Sequence, residues 1–186
     1  ASGPAYFAAM TFDPKEIKRD RMYIYLLVLT VASVVGLQGW RTLLNNFSVE
    51  VASISGDQMG LLQSVREIPG FLALLAVYLM LIIREHKLAA LSVLITGIGI
   101  SLTGFFPSFT GLAFTTLLMS FGFHYYETTN QSLTLQYFDK VTAPWVFGRL
   151  RSLGAITNVI VGLAIFAIAD FLDYKQTFLL IGVLVV

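Results

Sequence analysis

Five apolar stretches, residues 23–47, 57–83, 88–106, 109–137 and 143–171, follow one another along the chain, and a sixth begins at Tyr174. Each of the five is long enough to cross a bilayer, because a helix needs about 20 mostly apolar residues to traverse a hydrocarbon layer about 30 Å thick. Lipid offers backbone groups no hydrogen-bond partner, which leaves helices or a closed barrel. Barrel strands would alternate in polarity over about 10 residues, whereas these runs are unbroken. The expected fold is therefore all-α, a polytopic membrane protein of six transmembrane helices. A mean hydropathy of +0.78 with 12% charged residues agrees with it.

The last run, 174–186, ends after 13 residues, about 20 Å of helix at 1.5 Å per residue. The sixth span is thus expected to be truncated and the chain to belong to a longer protein. Residues 1–21 are expected to form a cytoplasmic N-terminal segment, the part before Met10 being a tag remnant, and residues 22–186 the helical bundle. The chain has no cysteine, which excludes disulfides, thiolate chemistry and cysteine metal sites. Two histidines and no clustered carboxylates leave little for a metal site or nucleophilic catalysis. Neither an enzyme nor a cofactor is expected.

Orientation follows from basic residues in the short loops. One side carries Lys15, Lys18, Arg19, Arg21, Arg84, Lys87, Lys140, Arg149 and Arg151; the other carries only Lys175, beside Glu50, Asp57, Asp170 and Asp173. The N-terminus is expected in the cytoplasm, in an inner (plasma) membrane. These cations are few and serve topology, so no nucleic-acid partner is expected. Pro69 inside the second span predicts a kink that frees a carbonyl near Val65. Gly97, Ser101, Gly154, Asn158 and Gly162 recur at four-residue spacing, as in membrane helices that approach closely.

A shift of 88 residues lays the first three segments on the last three: Tyr23 falls on Gly111 and Lys87 on Lys175. In that register Gly60-Leu61-Leu62-Gln63-Ser64-Val65 meets Gly148-Arg149-Leu150-Arg151-Ser152-Leu153. Three helices repeated after an odd number of crossings insert upside-down, giving a 3+3 inverted repeat.

On these features the chain resembles the N-terminal six-helix half of a major facilitator superfamily transporter. The resemblance rests on the Gly60-Leu61-Leu62 opening of the second segment, the basic loop Arg84-Glu85-His86-Lys87, and Gly148-Arg149 at the start of the fifth. The family signature in that loop is similar to Gly-x-x-x-Asp-Arg-x-Gly-Arg-Arg. Only its basic character survives here, at Arg84 and Lys87. The family's fourth-helix arginine would fall near Thr116, and the Gly-Pro pair of its antiporters is missing. The resemblance implies alternating-access transport of a small solute, with the first and fourth helices lining a central cavity. It also implies a C-terminal half, or a second copy, to cover that cavity.

Ionisable groups at membrane depth cost at least about 2.5–3.5 kcal/mol each, so they face a cavity or a partner. Gln38, Arg41, Asn45 and Ser48 share one face of the first segment; Ser120, His124, Glu127, Gln131 and Thr134 share one face of the fourth. Tyr125, Tyr126 and Asn130 flank the second stripe. By helical rise, Arg41 and the Arg66–Glu67 pair lie at one depth and Glu127 lies level with Arg149 and Arg151. Candidate cavity residues are Gln38, Arg41, Asn45, Arg66, Glu67, His124, Tyr126, Glu127, Gln131 and Asn158. Each has a plainer role open to it, as an interhelical hydrogen bond or ion pair that fixes packing. Arg149 and Arg151 read as interfacial anchors that snorkel to the headgroups. Glu127 is the leading candidate for coupling to a proton, with His124 second. A transporter of a small solute, coupled to a proton or another ion, is the expected function; a non-transporting scaffold or assembly factor of the same fold is the alternative.

Overall fold

The structure is a computed structural model that describes residues 13–186; the expectations for residues 1–12 lie outside the described residues. Every regular element among the described residues is helical: α1 (Pro14–Ile17), α2 (Arg21–Glu50), α3 (Gly56–Phe71), α4 (Leu74–Ile82), α5 (Glu85–Thr103), α6 (Phe109–Tyr137), α7 (Thr142–Ile168) and α8 (Tyr174–Val185). Short polar residues set the starts by accepting from the free N–H groups of the first turn. The Asp20 carboxylate accepts from the N–H groups of Met22 and Tyr23, and the Ser108 hydroxyl from that of Gly111. Ser55 with Gln58, and Asp173 with Gln176, form reciprocal capping boxes at α3 and α8.

α2, α5 and α7 are long and apolar enough to cross a membrane, and α3 with α4 makes a fourth such stretch if the bent pair counts as one. Fewer helices meet that standard than the sequence predicts, for two reasons. α6 has the length, at 29 residues, but its C-terminal half is crowded with Thr128, Thr129, Asn130, Gln131, Ser132 and Thr134. α8 has only 12 residues. The third expected span also starts earlier, at Glu85, because helix forms as soon as the chain leaves the extended backbone at Arg84.

The expected kink is present but displaced. α3 and α4 are bent by 43°, and the break falls after Pro69, at Leu72–Ala73. There Ala73 donates to Gly70, Leu75 to Leu72 and Ala76 to Ala73, all tighter i→i−3 bonds. Side chains of α6 hold the joint. The Ser120 hydroxyl donates to the carbonyl of Arg66, the Tyr125 hydroxyl donates to that of Leu72 at 3.4 Å, and the His124 ring lies against Gly70, where an added Cβ would sit 3.1 Å from it.

α5 is the centre of the bundle, packed on α6, α8 and α2, while α2 also carries α7 and α8 and α3 rests on α6. Glycine permits the two closest crossings. A Cβ on Gly182 would lie 2.6 Å from the Gly97 carbonyl where α8 meets α5, and one on Gly122 would lie 2.4 Å from the Ser92 carbonyl where α6 meets it. Of the small-residue row predicted for close approach, Gly97 and Ser101 serve it, against Gly182. Gly154 meets only Val34, at an ordinary 3.4 Å, and Gly162 faces open space. Two apolar clusters result. One gathers Trp40, Leu44, Phe47, Leu62, Ile100 and Phe178; the other gathers Tyr23, Leu26, Val93, Tyr126 and Val146.

Buried threonines return their hydroxyls to their own helix, as Thr96 does to Ser92 (2.9 Å), Thr103 to Gly99 (3.0 Å) and Thr129 to Tyr125 (2.9 Å). In the loop before α7, Asp139 accepts from the N–H groups of Thr142 (2.7 Å) and Val141 (3.0 Å). These bonds, that of the Thr142 backbone foremost and then that of its side chain, hold the Asp139 carboxyl below its ordinary pKa.

Two outcomes follow for stability in detergent. Gly182→Ala should cost about 1–3 kcal/mol by overpacking a backbone contact, while Gly162→Ala should leave the melting temperature unchanged or raise it, as thermal unfolding will read. A carboxylate with a depressed folded-state pKa stabilises above its unfolded pKa, near 3.9, and loses that contribution as pH falls through the folded value. Asp139→Ala should therefore flatten the decline of melting temperature between about pH 5 and 3; an unchanged slope would contradict a stabilising role for these hydrogen bonds.

Candidate functional site

Three helices diverge to leave a cavity of about 660 Å³ between α2, α6 and α7. α2 brings Gln38 and Arg41, α6 brings Tyr126, Glu127 and Gln131, and α7 brings Asn158. Six of the ten candidates from the sequence thus share one wall. Arg41 also borders a smaller adjoining cavity of about 260 Å³, together with Trp40, Leu44, Asn45, Gln63 and Arg66. That accounts for Asn45 and Arg66.

Glu67 and His124 line neither cavity. Glu67 is half-exposed and pairs with its neighbour, its Oε1 lying 2.6 Å from Arg66 Nη2 and accepting also from Arg66 Nε at 3.0 Å. His124 is turned to the α3 joint. The polar stripe of α6 is therefore divided by what it meets. Its first part, Ser120 and His124, packs on α3, and its middle part, Glu127 and Gln131, faces the cavity. Thr134 is buried and donates to the Asn130 carbonyl at 2.8 Å. One helical face meets different neighbours along its length, which residue spacing alone does not reveal.

Arg151 is the residue that sequence reasoning missed. Paired in the sequence with Arg149 as a headgroup anchor, it lines the cavity instead, whereas Arg149 sits over the Trp145 ring, 5.9 Å from its centroid. A signal was present: Arg151, Gly154 and Asn158 fall at i, i+3 and i+7 on one face of α7. Thr30, Ser33 and Asn130 also line the cavity.

The electrostatics are unbalanced. Among the described residues Arg66–Glu67 is the one ion pair, so Arg41, Glu127 and Arg151 are charged, exposed on the cavity wall and without an ion-pair partner. Asn130 Oδ1 is buried there with no hydrogen bond. At the cavity's inner surface Thr30 Oγ1 and the Tyr126 hydroxyl share a buried hydrogen bond of 2.8 Å that ties α2 to α6. The arrangement suits reversible binding of a small polar molecule: aromatic and aliphatic walls from Phe123, Phe147 and Leu37, with amides and charges of both signs at defined points. Among the described residues no group of three or more acidic or histidine side chains is arranged to hold a metal ion.

No family model matches the chain, and no curated protein matches its sequence.

Tyr126→Phe should strand the buried Thr30 hydroxyl and destabilise the bundle by about 1–2 kcal/mol. The double variant with Thr30→Val should lose less than the sum of the two single changes, a coupling that thermal unfolding of the four proteins will read.

Proposed function

We propose that this chain forms half of an alternating-access secondary transporter of the major facilitator type, moving a small solute through the cavity between α2, α6 and α7. The observation that carries this reading is the set of unpaired charges, Arg41, Glu127 and Arg151, on one concave wall of an otherwise apolar bundle. Hydrocarbon cannot cover such a wall. Water or protein must, and a central pathway closed by a C-terminal half or a second copy supplies both.

Two further observations support an inverted repeat of six spans, with α3 and α4 together making the second. The starts Arg21, Gly56 and Glu85 are followed 88, 86 and 89 residues later by Phe109, Thr142 and Tyr174. Exchanging the first three spans for the last three turns the α2–α7 contact into α6–α3 and α2–α8 into α6–α5, and leaves α5–α8 and α2–α6 as themselves; all six contacts occur. The α2–α5 contact has no counterpart of similar extent. Repeats of this kind put the binding site at the interface of the copies, here between α2 and α6.

Within this reading Glu127 is the proton-coupling residue, because it faces the cavity and can change protonation as access alternates; His124, turned toward α3, is left to the joint. The Arg84–Lys87 loop, without the family's glycines and aspartate, favours the second reading, a scaffold of the same fold that transports nothing. Solute-dependent thermal stability separates the two, since a transporter is stabilised by what it carries. A broad small-molecule screen that raises the melting temperature with no compound supports the scaffold. For a solute that does stabilise, proton-driven uptake into proteoliposomes should fall at least about tenfold in Glu127→Gln, as loss of a general acid–base group does, with the melting temperature unchanged. Uptake at the wild-type rate would remove Glu127 from the coupling mechanism.

A further inference from the structure

The two adjoining cavities share Arg41, and their charges do not cancel. Arg41, Arg66 and Arg151 line them against Glu127 alone, and Glu67, outside both, pairs with Arg66, which leaves one cation in excess. Arg66 is occupied by Glu67 through two contacts, at 2.6 and 3.0 Å. Arg41 has no carboxylate on it, although it borders both spaces and projects from α2 nine residues before the helix ends at Glu50, about 13 Å inside that end by helical rise. A guanidinium at such depth needs a partner or a water-filled cavity; Arg41 has the cavity, and its planar fork of donors matches the two oxygens of a carboxylate or phosphate. Around it lie the amides of Asn45 and Gln63, which can donate to the same oxygens, and the buried ring of Trp40.

Resting on the transport reading above, we infer that the solute carries an oxyanionic group and that Arg41 is the residue that grips it. The smaller cavity, about 260 Å³, holds the anion. The larger one, about 660 Å³ with Tyr126, Phe123 and Phe147 in its walls, holds the rest of the molecule. Glu127, on the wall of that space, opposes a second negative group and so favours solutes with a single anionic end.

The absence of cysteine from the chain permits a test that needs no knowledge of the solute. Gln63→Cys sets one thiol in the smaller cavity of the protein in phosphatidylcholine bilayers. Its rates with an anionic sulfonatoethyl and a cationic trimethylammonioethyl methanethiosulfonate are compared, each relative to a free thiol in solution. The anionic reagent should be favoured on the order of tenfold, the lower range of electrostatic focusing in a charged cleft. Arg41→Gln should bring the ratio to about one, as should salt raised to about 1 M, where the screening length is about 3 Å; Arg41→Lys, which keeps the charge, should preserve it. The salt arm decides the matter even if the glutamine variant does not fold.

A ratio of one or below in the parent, or a ratio indifferent to both Arg41→Gln and salt, overturns the anion assignment and leaves the cavity standing. A thiol that reacts with neither reagent until the protein is denatured overturns the water-filled cavity, and the transport reading with it. A ratio that collapses when phosphatidylglycerol is added, while phosphatidylcholine alone preserves it, assigns Arg41 to a lipid headgroup and removes the solute.

Discussion

A charge set among long apolar helices must be met by protein or by water, and the architecture of this bundle follows from where that requirement is satisfied. Most of the polarity in the long helices is spent within them. The threonines of α5 and α6 turn back to carbonyls of the preceding turn, so they fill interhelical space at little electrostatic cost. What cannot be absorbed locally, the side chains of Arg41, Glu127 and Arg151, is gathered on one wall where α2, α6 and α7 part. The opposite requirement governs α5, which carries glycines at its tightest crossings and packs backbone to backbone on α6 and α8. Close packing at α5 and divergence at α7 are two sides of one arrangement, and the second creates the cavity.

The sequence was most legible where a single physical rule acts alone. Apolar length placed four helix starts within two residues, at 23, 57, 109 and 174 against the observed Arg21, Gly56, Phe109 and Tyr174, and the Asp20, Ser55, Ser108 and Asp173 caps fix the residue in each case. Helical spacing set Gln38 and Arg41 on one face of α2 and Glu127 and Gln131 on one face of α6, while the expectation that those faces meet at a cavity came from the family resemblance. Legibility failed where two rules compete. Pro69 removes one backbone donor, yet the bend settles several residues later because Ser120, His124 and Tyr125 of a helix distant in sequence hold the joint there. No local pattern records that. Arg151 shows a related competition: a long basic side chain near a helix start satisfies the anchor rule and the cavity rule equally, and the direction in which α7 departs from α2 brings it to the cavity wall.

The small-residue row shows how context sets the meaning of a motif. Gly97 and Ser101 lie under Gly182, and a methyl added to either glycine would strike backbone. Gly154, Asn158 and Gly162 repeat the same spacing on α7, yet beside Gly162 there is no neighbour within 4 Å. The same glycine spacing thus seals one helix pair and widens the gap beside another. Which of these it does depends on whether a second helix is available at that height, a property of topology and not of the motif.

The jointed second span has a mechanical meaning of its own. α4 presents Leu74, Leu81 and Ile82 almost fully outward, as Phe71 is at the end of α3, and it is coupled to α3 through short i→i−3 bonds at Leu72–Ala73 instead of a continuous ladder. An unbroken rod must tilt as a whole when the surrounding hydrocarbon thickens or thins. In the membrane setting proposed above, a span divided here would take up that mismatch in α4 alone, leaving α3 seated on α6. Annular lipid would then have a lever arm that ends at the elements bordering Arg66 and His124, and bilayer thickness would act on the bundle through it.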